Sequence, residues 1–121
     1  MSNAINWFEL PTTDMNRAVE FYNQVLGTTL QVMELAGTNM AFFPSSENGV
    51  GGALTHGDGK VPGAQGALVY LNGGEDLSTP LARVEAAGGS VVLPKTSIGE
   101  NGFIGIFMDS EGNQVAFHSM G

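Results

Sequence analysis

DMNRAVEFYNQVLG, residues 14–27, and DLSTPLARVEAAG, residues 76–88, are two versions of one element. After Asp14, Met15, Ala18, Val19, Tyr22, Val25 and Leu26 recur at spacings of three and four, the stripe of a core-facing helix, and Gly27 supplies a left-handed stop. Thr13 or Asp14 can cap that helix, where an acid also suits the dipole. Asp76 heads the second stretch, in which Leu77, Leu81 and Val84 fall at helical spacing and Gly88-Gly89 ends the run. Pro80 is tolerated only near the first turn, where its missing N–H costs little. The starts lie 76 − 14 = 62 residues apart and the stops 88 − 27 = 61, about half of the 121-residue chain. An internal repeat of this kind decides architecture before any single residue is interpreted.

Working outward, a strand precedes each helix and three follow it. Ile5–Leu10, Thr28–Leu35, Asn39–Phe43 and Val50–Thr55 read as strands of the first unit, with Trp7 and Glu9 on one face of the first strand. Ala67–Leu71, Ser90–Leu93, Phe103–Met108 and Gln114–Ser119 are their counterparts. Leu93-Pro94 is expected to leave the sheet, because proline cannot donate to a central ladder. The last hairpins share turn chemistry, Ser46-Glu47-Asn48-Gly49 and Ser110-Glu111-Gly112-Asn113. His56–Gly66 has Gly, Pro and Lys without periodicity and reads as the linker. The expected fold class is α+β: one domain over residues 1–121, with repeat one at about 4–56, a linker at about 57–65 and repeat two at about 66–120. Two βαβββ units with curved mixed sheets would enclose a shared cleft.

Composition narrows the function classes. Twelve acids against Arg17, Lys60, Arg83 and Lys95 leave a net charge of −8, which repels phosphate backbones and argues against nucleic-acid binding. The same balance tolerates a cationic ligand better than an anionic one. With no cysteine there is no disulfide, thiolate metal site or cysteine nucleophile, a usage compatible with the cytoplasm. No apolar run approaches the ~18 residues of a membrane span, and no charged-then-apolar leader precedes Trp7, so a cytoplasmic protein without membrane or nucleic-acid partners is expected. Gly49-Val50-Gly51-Gly52 enters a strand, not a helix, and so is no dinucleotide loop.

The segments Trp7-Phe8-Glu9-Leu10-Pro11, Asp14-Met15-Asn16-Arg17-Ala18, Phe21-Tyr22 and Leu26-Gly27, with Ala86-Ala87-Gly88-Gly89 and Asp109-Ser110-Glu111-Gly112-Asn113, run in order over essentially the whole chain. In this order and at repeat spacing they resemble the vicinal oxygen chelate superfamily, the fold of glyoxalase I, bleomycin-resistance protein and extradiol dioxygenase. Arg17 lies one helical turn after Asp14, within its reach. The resemblance implies four metal-ligand positions: one seven residues before each helix-opening Asp, and one on each unit's last strand, in the second unit three residues after the Gly-Asn asparagine. Here these are Trp7; Val69, or Leu68 or Tyr70; Ala53 or Leu54; and Ala116. An indole offers only a donor N–H, and a divalent site needs three or four converging imidazoles and carboxylates, so no cofactor is predicted and no metal residue assigned.

What could act instead sits beside those positions. His118 is two residues beyond Ala116 and shares its face, and His titrates near neutral pH. Glu9 shares a face with Trp7 and could hold a ligand or act as a base. The expected ligand-binding residues are therefore Trp7, Glu9, Tyr70, Met108 and His118, with Glu9 and His118 as the candidate catalytic pair. The expected function is small-molecule binding by a glyoxalase-like protein that lacks the usual metal ligands. The alternative is a lyase or isomerase of glyoxalase type with a Glu/His acid–base site or a relocated divalent metal, for which Glu9 and the histidines His56 and His118, 118 − 56 = 62 residues apart, would be ligands. Exposed sheet edges and the habit of the family imply a homodimer.

Overall fold

The computed structural model describes residues 3–35 and 37–121. The elements run β1 (Trp7–Pro11), α1 (Met15–Leu26), β2 (Gln31–Leu35), β3 (Thr38–Phe42), β4 (Gly51–His56), β5 (Val69–Asn72), α2 (Ser78–Leu81), β6 (Ser90–Ser97), β7 (Phe103–Met108) and β8 (Gln114–Ser119). They form two four-stranded sheets, ordered β1-β4-β3-β2 and β5-β8-β7-β6. In each, the first strand lies parallel to the last and the other neighbours are antiparallel. The α+β class and the paired mixed sheets are as expected.

α1 starts where the Asp14 side chain accepts from the Arg17 N–H at 3.1 Å and stops at Gly27, whose φ of +65° suits a residue without Cβ. Its buried residues are Met15, Ala18, Phe21, Tyr22 and Val25. The expected stripe omitted Phe21 and included Val19 and Leu26, which are only half-buried. The difference arises because α1 packs on two sides. Tyr22 stands edge-on to Phe43, just beyond β3, at 5.3 Å and meets Phe107 of β7 at 6.5 Å, while Phe21 meets Phe107 at 6.1 Å. The helices therefore lie between the two sheets, and one core joins Leu10, Phe43 and Leu54 to Leu71, Phe107 and Phe117. The face of each sheet turned away from the helices stays open. A groove of about 640 Å³ is shared between the repeats along β1 and β5, bounded by Phe8, Leu26 and Phe43 on one side and Leu68, Val69 and Tyr70 on the other.

Two expectations about local structure are corrected. β6 runs through Pro94 to Ser97. It is an edge strand paired only with β7, and its register shifts between Val91 and Leu93 and again between Leu93 and Thr96, so the missing N–H falls where the ladder is already irregular. The second helix is regular only over Ser78–Leu81. Beyond Pro80 the chain tightens into turns, with Arg83 N–H donating to Pro80 O and Val84 N–H to Leu81 O, still burying Leu77, Leu81 and Val84.

The guanidinium of Arg17 does not turn to Asp14. It reaches across the repeats to Glu111, with Nε 2.7 Å from Oε2 and Nη2 3.1 Å from Oε1. Glu111 Oε1 also accepts the Thr13 and Asp14 N–H groups at 2.8 and 2.7 Å, so a carboxylate from repeat two closes the N-terminus of α1. Burial pushes this carboxyl up, but Arg17, the two backbone donors and the Ser110 hydroxyl outweigh it and hold it below the usual range. A depressed folded pKa contributes stability that is complete above the unfolded value and lost as pH falls through the folded one. Glu111→Gln is therefore expected to cost about 1–2 kcal/mol at pH 7, Arg17 being half exposed, with the gap to wild type closing below about pH 4. Urea midpoints at pH 7 and pH 3 check this; a gap equally wide at both would show that the charge of Glu111 contributes nothing.

Candidate functional site

On β1, alternation sends Phe8 and Leu10 toward the helices and Trp7 and Glu9 to the open face. Trp7 is 44% exposed and lies over Gly51, its partner on β4, where a Cβ would come within 3.0 Å of the indole. Its Nε1–H donates to Glu9 Oε2 at 3.2 Å, and Phe42 on β3 tilts against it at 6.1 Å. Glu9 Oε1 is 3.5 Å from Lys60 Nζ, so the linker crosses this face and places a cation on the carboxylate. Neither Trp7 nor Glu9 lines the groove between the repeats or the groove of the second sheet.

On the second sheet Tyr70 pairs with Ala116, and Asn72 with His118. Ile104 and Ile106 of β7 sit opposite His118 and Ala116, so all of these share the open face, while Phe107, Val115 and Phe117 face the core. Part of this face is a groove of about 770 Å³ lined by Tyr70, Glu75, Ile98, Ile104, His118 and Met120, among others. His118 Nε2 is 2.6 Å from the Asn101 carbonyl. A carbonyl only accepts, so Nε2 carries the proton, and in the neutral ring Nδ1 is the free lone pair. Met108 pairs with Gln114 on the same face but does not line the groove. Asp76, next to Glu75, is drawn down to about 2 by a 2.9 Å hydrogen bond from Lys95 and by the Ser78 N–H.

Tyr70 and His118 are thus brought together, Trp7 and Glu9 are brought together, and the two pairs lie on different sheets with the helices between. Glu75 and Lys60 were not foreseen. Glu75 follows Gly73-Gly74 in a turn and reaches the groove only because Ser119 and Met120 run alongside it, a juxtaposition with no local signature. Lys60 sits in a segment without periodicity and meets Glu9 only through the path of the linker.

The positions that the resemblance assigns to metal ligands resolve to Trp7, Ala53, Ala116 and Leu68, which precedes β5 and corresponds to Trp7 as Tyr70 corresponds to Glu9. Leu54 and Val69 belong to the helix side. An indole, two methyl groups and an isobutyl group do not fit a divalent cation. Among the described residues no three His, Asp or Glu side chains converge. The alternative set of Glu9, His56 and His118 is not assembled. His56 pairs with Asn39, points to the helix side and has Nδ1 3.1 Å from Thr12 O, beside the start of α1. The counterpart of His118 by pairing is Thr55, which stands opposite Pro11 as His118 stands opposite Asn72.

Among the described residues no helix is long and apolar enough to cross a membrane. Residues 4–117 match the family model of the Glyoxalase/Bleomycin resistance protein/Dioxygenase superfamily. The chain is 29% identical over 107 residues to CFP32 of Mycobacterium bovis, described as a candidate glyoxylase; the match covers 88% of this chain and spans 40% of that relative. In structure it resembles a glyoxalase/bleomycin resistance protein from Albidiferax ferrireducens, with TM-score 0.75 and 14% identity over 95% of this chain and 97% of that one. It also resembles the fosfomycin resistance protein FosX from Listeria monocytogenes, with TM-score 0.66 and 15% identity over 98% and 92% of the two chains. At such identities the structural likeness speaks to fold alone, whereas the family match runs from before β1 into β8. The chain belongs to the Glyoxalase/Bleomycin resistance protein/Dioxygenase superfamily.

Proposed function

We propose that the protein is a small-molecule-binding member of this superfamily that works without the usual metal, its ligand held on the open face of the second sheet. One observation carries the proposal: the groove beside Ala116 combines apolar walls at Ile98, Ile104 and Met120 with the imidazole of His118 and the half-exposed ring of Tyr70. A methyl group stands where a metal-binding side chain would be needed, so orientation falls to hydrogen bonds and packing. A homodimer is part of the proposal. Trp7 and Met33 are exposed on the open face of the first sheet, with Ile5 exposed just before β1 and Val32 on the other face of edge strand β2; β1 and β5 are sheet edges, and a second copy covering the open face would also bring Trp7 and Glu9 toward a ligand. The absence of cysteine suits a cytoplasmic setting.

The test is a small-molecule library read by thermal shift on wild type, Tyr70→Ala and His118→Ala, each hit then titrated by calorimetry. Hits are expected to weaken about tenfold in Tyr70→Ala and about threefold or more in His118→Ala. Hits that bind both variants as they bind wild type would remove the groove as the site. Sedimentation of the same preparation as one 12.6 kDa species would remove the dimer.

The relationship to a candidate glyoxylase favours a second reading, a lyase or isomerase in which Glu9 and His118 move protons. In this chain Glu9 is engaged by Trp7 and Lys60, and His118 can accept only at Nδ1. Turnover of an α-oxoaldehyde–thiol adduct that Glu9→Gln and His118→Ala both abolish would favour it; turnover untouched by both would dismiss the pair.

A further inference from the structure

We infer that the groove of the second sheet selects a cationic ligand, an organic amine on an aromatic or aliphatic body, and rejects anions. This depends on that groove being the small-molecule site proposed above, and adds its charge class.

Glu75 is the one acid lining the groove, and no Lys or Arg lines it. Among the described residues the ion pairs are Arg17–Glu111, Lys60–Glu9 and Lys95–Asp76, so Glu75 is in none. The fourth base, Arg83, lines a neighbouring groove that Glu75 also borders, but its Nη1 donates to the Val25 carbonyl at 3.1 Å. Three bases are thus paired with other acids and Arg83 lies in the neighbouring groove, so the charge that lines this groove is the one carboxylate of Glu75, on a chain of net charge −8.

Two of the neutral polar groups, His118 and Tyr70, favour the same sign. With Nε2–H given to Asn101, His118 offers a lone pair at Nδ1. Tyr70 is 48% exposed, and the negative face of its ring attracts a cation. Asn72 Oδ1 is held by the Gly74 N–H, so the free end of that amide is its Nδ2 donor, a neutral group that suits an anion but carries no charge against Glu75. A carboxylate or phosphonate would meet Glu75 with no compensating donor of positive charge. An ammonium finds a carboxylate, a lone pair and an aromatic face, while Ile98, Ile104 and Met120 take up its apolar body.

Tryptamine, tryptophol and indole-3-acetate share one body and differ in charge. Each is titrated into the isotopically labelled full chain, and shifts are followed at the amides of Tyr70, Ile104, His118 and Met120. Tryptamine is expected to bind about fivefold tighter than tryptophol and about tenfold or more tighter than indole-3-acetate. Glu75→Gln should bring the amine to the level of the alcohol, and Glu75→Lys should reverse the order of amine and carboxylate. Glu75 is exposed, and unchanged resonances outside the groove confirm that both variants fold. If the alcohol or the carboxylate shifts the same resonances as tightly as the amine, the charge class is overturned and the groove remains a site. If none of the three shifts them, the site beneath it is overturned too.

Discussion

Asp109→Ala is expected to destabilise the protein by about 3–5 kcal/mol, enough to shift a thermal midpoint by roughly 10 °C or more. The Asp109 carboxylate is 4% exposed and every lone pair that faces the protein is used. Oδ1 accepts the N–H groups of Glu111 and Asn113 at 2.8 and 2.9 Å, and Oδ2 accepts the Tyr22 hydroxyl at 2.7 Å and Asn113 Nδ2 at 3.1 Å. Truncation orphans the Tyr22 hydroxyl and two backbone donors, whereas Asn113 Nδ2 keeps the Pro11 carbonyl at 2.8 Å. The same carboxylate shapes the turn whose Gly112 adopts φ +89°, so its loss also frees Glu111 from the start of α1. Burial, then the charge of Asp109 and the hydrogen bond to it, raise the Tyr22 phenol well above its ordinary value, so it stays a proton donor over the working pH range. Tyr22→Phe should cost about 1–2 kcal/mol, and the double variant less than the sum, because both remove one bond. Urea unfolding of the three variants measures the coupling; an Asp109→Ala cost under about 1 kcal/mol would mean water replaces the carboxylate without penalty.

Phe107→Ala should cost a similar amount, about 3–5 kcal/mol. Phe107 is fully buried and is the point where three aromatic neighbours meet: Phe117 stacked at 5.1 Å, Phe21 at 6.1 Å and Tyr22 at 6.5 Å. Two of those belong to α1 of the first repeat, so the cavity opens in the layer that joins the repeats. The loss should therefore appear as one cooperative transition at a lower midpoint, with Phe107→Leu intermediate. Two separate transitions in Phe107→Ala would show instead that the repeats fold independently and that the shared core is a weak seam.

How far the sequence reached can be judged from particular residues. Asp14 and Gly27 announced the ends of α1, because caps act on neighbouring backbone groups, and β7 and β8 were bounded correctly by their alternation. Phe21 was expected to help fill the gap between helix and sheet but was left out of the core-facing stripe, because a helix packed on one sheet needs one stripe, and nothing local tells that a second sheet lies behind it. Pro94 was read as a strand end because its harm depends on whether the strand is central or an edge, which is a matter of sheet order. Arg17 was assigned to Asp14, three residues away, when its partner Glu111 is 94 residues away.

The two histidines carry the same lesson to the site. Their separation of 62 matches the repeat, yet pairing makes Thr55 the equivalent of His118, a separation of 63, and Tyr70 the equivalent of Glu9, a separation of 61. A strand alternates with period two, so a slip of one residue sends His56 to the helix side while His118 faces out. Caps, alternation and the duplicated order of elements are properties of neighbours along the chain, and the sequence alone determined them. Which face a polar side chain takes, which charge neutralises it and which residues border a groove depend on register and on contacts made across half the chain or more. Only the tertiary structure decided those, because folding selects them by the burial of the whole core and not by any local signal.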